Sequence, residues 1–88
     1  MTIWKFILKP TIFQTINMPA GAKILTVQNQ CNDITLWAEV EEKAPIEKRF
    51  IEIFGTGSRF GSGSRTYIGT VLMLDDGLVW HVYEREAL

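Results

Sequence analysis

The chain has 88 residues, 47% of them hydrophobic, and a formal net charge of −1. That length accommodates one hydrophobic core and no second domain, and the near-neutral charge argues against broad electrostatic capture of nucleic acid or anionic membrane. A single cysteine and a single histidine exclude both an intrachain disulfide framework and a Cys/His zinc site built from one copy.

Alternation with period two runs through nearly the whole chain. Trp4, Phe6 and Leu8 share one face of a predicted strand whose other face carries Lys5 and Lys9, and Pro10 ends or bends it. The two lysines also divide the opening apolar residues into runs too short for a signal-peptide core, and no stretch is long and apolar enough for a transmembrane helix. TIFQTINMP re-enters the sheet, Gly21 suits a turn, and KILTVQNQ is a second clear strand. In QCND, Asn32 and Asp33 supply turn chemistry. ITLWAEV then places Ile34, Leu36, Ala38 and Val40 on one face, with Thr35, Trp37 and Glu39 on the other.

A polar connection marked by Pro45 follows, rich enough in Glu and Lys for a turn or two of helix over 38–48 to compete with an extended path. RFIEIF leads into a glycine-rich loop, TYIGTVLML leaves it, and DDG forms a tight hairpin into LVWHVYERE. Short strands with turn signals between them predict an all-β, single-domain fold, a small antiparallel sandwich or barrel of six or seven strands. So short a chain buries a modest share of its surface, and with three tryptophans available the expected supplement is a homo-oligomer.

The loop GTGSRFGSGSR, Gly55 to Arg65, holds four of the seven glycines and all three serines, with two arginines and no acid. It matches no named phosphate motif: there is no Gly-Lys-Ser/Thr ending, and the third glycine of a dinucleotide fingerprint is replaced by Phe60. Its physical content is nevertheless suited to an anion. Gly55, Gly57 and Gly63 let backbone amides turn toward one point, Ser58, Ser62 and Ser64 add hydroxyl donors, and Arg59 and Arg65 offer bidentate contacts to phosphate. Phe60 provides an anchor or a ring for a base. Local charge agrees: Lys48, Arg49, Arg59 and Arg65 against Glu52 give +3 over 48–65, whereas 39–47 carries four acids and one lysine, −3. The competing reading is a long mobile hairpin loop that is polar because it lies in water.

Trp37, on the polar side of its strand, is either a stacking or interface residue or is covered by a second layer. His81 lies among aromatics and reads as a hydrogen-bonded structural residue. A serine nucleophile would need a loop serine, His81 and an acid such as Asp75, Asp76 or Glu84 together, and nothing in the spacing joins them. The sequence therefore predicts no enzyme, no metal and no cofactor.

IWKF, QTINMPAGAKILTVQNQ, LWAEV, FGTG, YIGT and LVWHVYE, in this order and spacing, resemble a family of small uncharacterised proteins of tailed phages and prophages. The resemblance spans nearly the whole chain; the Ser/Arg-rich composition after Gly57 departs from it. It implies a phage-encoded accessory protein with an anti-defence role, and transfers no site residues. The lone thiol fits a reducing interior, which places such a protein in the host bacterial cytoplasm. The leading expectation is a binder that sequesters a phosphate-bearing nucleotide through the loop and Trp37, with no membrane partner and no sequence-specific nucleic acid. The alternatives are a protein inhibitor of a host defence factor and a minor virion or assembly component.

Overall fold

The computed structural model of the chain describes residues 1–86. Seven strands form: β1 (Thr2–Leu8), β2 (Phe13–Pro19), β3 (Lys23–Gln30), β4 (Asp33–Val40), β5 (Ile46–Gly55), β6 (Arg65–Leu72) and β7 (Val79–Arg85). All pairings are antiparallel, in a three-stranded sheet ordered β1-β4-β3 and a four-stranded sheet ordered β2-β5-β7-β6. The two sheets are arranged as a sandwich, and extents of 39 × 31 × 15 Å fit two layers about 10 Å apart. No helix occurs among the described residues. The helical alternative over 38–48 loses because its ends are strands: β4 runs to Val40, β5 starts at Ile46, and between them the Ala44 amide closes a turn onto the Glu41 carbonyl.

The alternation read from the sequence decides what is inside. Ile34, Leu36, Ala38 and Val40 of β4 meet Ile51 and Ile53 of β5, Val82 of β7, Val71 of β6 and Met18 of β2, all of them buried. The β3–β4 turn uses Cys31 and Asn32, with φ of 52° and 63°, the left-handed pair that a two-residue hairpin demands. It lies one residue earlier than Asn32–Asp33, because Asp33 already pairs with Gln30.

One long seam between the sheets is closed. The Asn29 side-chain amide of β3 donates to the Leu72 carbonyl of β6 at 3.1 Å. At Gly69 of β6, beside a register shift, an added Cβ would come within 3.0 Å of a Val27 methyl, so glycine permits the close approach. The opposite edges, β1 and β2, are joined in sequence by residues 9–12, and this connection lies beside the site described next.

Candidate ligand cleft under the glycine loop

On β5, alternation that sends Ile51 and Ile53 inward sends Glu52 and Phe54 to the outer face of the four-stranded sheet. Both are nonetheless buried, 6% and 5% exposed, because the 56–64 connection folds back over them. Phe60 stacks on Phe54 with centroids 3.9 Å apart and planes 9° from parallel. The Arg65 guanidinium covers both rings, 5.1 Å from the Phe60 centroid and 5.7 Å from that of Phe54. Its Nε donates to Glu52 Oε1 at 2.7 Å and its Nη1 to the Gly61 carbonyl at 2.9 Å, while Arg85 Nη1 reaches Glu52 Oε2 at 3.2 Å.

Burial alone would raise the Glu52 pKa; the hydrogen bonds and charges of Arg65 and Arg85 outweigh it and hold the carboxyl below its ordinary value. The loop is tied at both ends as well. Thr56 Oγ1 is hydrogen-bonded to His81 Nε2 at 2.8 Å, and the Glu86 amide donates to the Ser64 carbonyl at 3.1 Å. Contacts at Thr56, Phe60, Gly61 and Ser64 thus hold to the sheet a loop that composition alone also allowed to be a free hairpin.

Between the folded-back loop and the 9–12 connection lies a cleft of about 490 Å³, within the size range of small-molecule sites. Pro10, Ile12 and Trp80 supply apolar wall, and Gly55, Ser58, Arg59, Phe60, Ser62 and Arg65 of the loop line the other side. Gly57, Gly63 and Ser64 belong to the loop but not to the cleft wall. Trp37 is elsewhere: it sits on the three-stranded sheet opposite Lys5 and Thr26, half-buried and outside the cleft.

Within the loop only Gly57 takes a left-handed φ, 87°, and the Ser58 amide is already given to the Gly55 carbonyl, so the amide cradle is a single turn. The two arginines have separate duties. Arg65 is committed to Glu52, whereas Arg59 is exposed and forms no ion pair among the described residues. Three guanidiniums (Arg59, Arg65 and Arg85) against one carboxylate (Glu52) leave the cleft a net charge of +2. An apolar wall, serine hydroxyls and one available guanidinium suit a molecule with a planar or apolar body and an anionic group.

His81 does not meet a serine. Its ring nitrogens are hydrogen-bonded to Thr56 and, at 3.1 Å, to Thr70, which in turn contacts the Tyr67 hydroxyl. Among the described residues no group of three or more His, Cys, Asp or Glu side chains is placed to hold a metal ion. Sequence reasoning missed Pro10, Ile12, Glu52, Trp80 and Arg85. For Glu52 a signal existed, an acid alternating with Phe50 and Phe54 on one strand face; for Pro10 and Ile12 none did, since only the sheet order brings them to the loop.

The chain belongs to the family described as Domain of unknown function (DUF7352), which matches residues 1–88. Neither the curated proteins nor the solved structures contain a match.

Proposed function

We propose that the protein is a non-enzymatic binder that captures a phosphate-bearing nucleotide in the cleft beneath the 55–65 loop. The observation that carries this reading is the held loop. Ordering a free segment of that length costs on the order of 1 kcal/mol per residue, which a few charge-assisted hydrogen bonds at about 1.5–3 kcal/mol each would not offset with affinity to spare. Here the Phe60–Phe54 stack and the Glu52–Arg65 pair order the loop before any ligand arrives. Arg59, with Ser58 and Ser62, receives the phosphate, and Trp80, Ile12 and the exposed side of Phe60 take the base or sugar. A net charge of +2 complements a phosphomonoester dianion.

The resemblance to phage proteins supports an accessory role in which such a nucleotide is withheld from the host in the bacterial cytoplasm. Titration with a panel of linear and cyclic nucleotides, followed through tryptophan fluorescence, tests the reading. Micromolar binding of at least one member, weakened about tenfold by Arg59→Ala, is expected. Binding by none of them below millimolar concentration ends it.

A further inference from the structure

The outer face of the four-stranded sheet carries more than the cleft uses. Phe13 of β2 pairs with Glu52, Phe50 with Arg85, and Tyr67 with Tyr83, so the register places all of these side chains on the side that the loop covers in part. Lys48, two residues before Phe50 and opposite Asn17, shares it. The rings form two groups on either side of Glu52, which lies opposite both Phe13 and Tyr83. Phe13 stacks on Phe50 at 5.9 Å; beyond Glu52, Tyr83 lies 6.2 Å from Phe60 and Tyr67 meets Tyr83 edge-on at 5.4 Å. From β2 to β6 the two groups span three strand spacings, about 14 Å. Each group has accessible rings, Phe13 at 45% in one, Phe60 at 48% and Tyr67 at 55% in the other.

The charge on this face is one-sided. Lys48, Arg59, Arg65 and Arg85 against Glu52 give a net of +3, and that one acid is buried under the loop. Glu84 pairs with Arg49 beside the Ala22 carbonyl and Glu47 accepts from the Gly21 amide, while the exposed Glu86, just past β7, stands beside Lys48, Phe50 and Arg85 and lowers the net charge there to +2. A chain with a net charge of −1 thus has one basic, aromatic face. The outer face of the other sheet is balanced by comparison, since β1 and β4 place Lys5 and Glu39 there with a single ring, Trp37.

We propose that this face binds single-stranded nucleic acid without sequence preference. Unpaired bases stack on Phe13, Phe60 and Tyr67, and the phosphates follow Lys48, Arg85 and Arg59. Exposed rings interleaved with cations are what a single strand requires, because every unpaired base offers a π-face and every nucleotide one negative charge. A duplex keeps its bases stacked on one another, and this face presents no helix to enter its groove. The inference goes beyond mononucleotide capture: Phe13, Tyr67 and Lys48 lie outside the cleft wall.

Fluorescence anisotropy of a labelled oligodeoxythymidylate, with a duplex of equal length as comparator, tests the proposal on the full chain. The single strand is expected to bind at low salt and the duplex at least tenfold more weakly. The log–log salt slope is expected near −2, since three phosphate contacts at about 0.7 each give that value. Phe13→Ala and Tyr67→Ala should each weaken the single strand about tenfold, while mononucleotide affinity and the circular dichroism spectrum stay unchanged. Absence of single-strand binding at low salt, equal duplex binding, or indifference to both ring substitutions overturns the proposal. So does a Tyr67→Ala effect that appears only as loss of a concentration-dependent dimer, which would assign the face to a second copy. Failure of the Arg59→Ala nucleotide titration with these results intact would refute the cleft reading alone.

Discussion

The β5–β6 and β6–β7 connections both contain glycine and lie exposed, yet they are held in different ways. The 73–78 turn closes on itself: the Met73 amide donates to the Leu78 carbonyl, the Gly77 amide to the Met73 carbonyl, and the Leu78 amide to Asp76 Oδ1. Leu74 at its tip is 84% exposed. The 56–64 segment makes two local bonds, the Ser58 amide to the Gly55 carbonyl and Arg65 Nη1 to the Gly61 carbonyl, and is otherwise held by the sheet beneath it: Phe60 stacks on Phe54, Thr56 is hydrogen-bonded to His81, and the Ser64 carbonyl accepts from the Glu86 amide. Composition rich in Gly and Ser therefore does not make a loop loose. A ring stacked on the sheet and a carboxylate buried between two guanidiniums decide the matter here.

The comparison breaks most completely at Glu52. Glu52→Ala leaves Arg65 and Arg85 facing each other without their shared acid and is expected to cost about 3 kcal/mol of stability. Amide hydrogen exchange should show the Ser58 and Glu86 amides losing protection while those of Met73, Gly77 and Leu78 keep theirs. The same group sets a pH dependence. Its folded pKa is depressed, so its contribution is complete above the ordinary carboxylate pKa and is lost as pH falls through the folded value. Exchange protection of the Ser58 and Glu86 amides should fall in acid below that ordinary value, and Glu52→Gln should abolish this part of the pH dependence.

Next in size is Phe60→Ala. Removing a half-exposed ring from the Phe54 stack should cost about 1–2 kcal/mol and weaken nucleotide binding by more than its share of contact, because the loop then has to be ordered on binding. Thermal denaturation and the fluorescence titration read the two effects separately. Equal nucleotide affinity in this variant would show that the stack does not organise the cleft.

Much of this was legible in the sequence. Strand positions, the all-β class and the inward faces of β1 and β4 followed from alternation, because a strand buried on one side has to repeat every second residue. The loop stood out by composition, and Phe60 as its anchor by being the one aromatic within it. The two roles of Arg59 and Arg65 were not legible. Their neighbours in the chain are nearly the same, and they differ only because Arg65 begins β6, across β7 from the β5 strand that holds Glu52. The wall made by Pro10, Ile12 and Trp80 was hidden for the same reason, being a product of sheet order. Trp37 illustrates the converse: its strand face was read correctly, but the face belongs to the sheet away from the loop.

The smallest effect is expected where the loops differ most in exposure. Leu74→Ser replaces an apolar side chain that water already surrounds, so stability should change by no more than about 0.5 kcal/mol. The hydrogen bonds of the 73–78 turn run through backbone and Asp76, and none involves the Leu74 side chain. Chemical denaturation should give an unchanged midpoint, and the nucleotide and single-strand titrations unchanged affinities. If the midpoint falls by more than 1 kcal/mol equivalent, Leu74 is covered in solution, and the hairpin tip is then an interface that the isolated chain does not display.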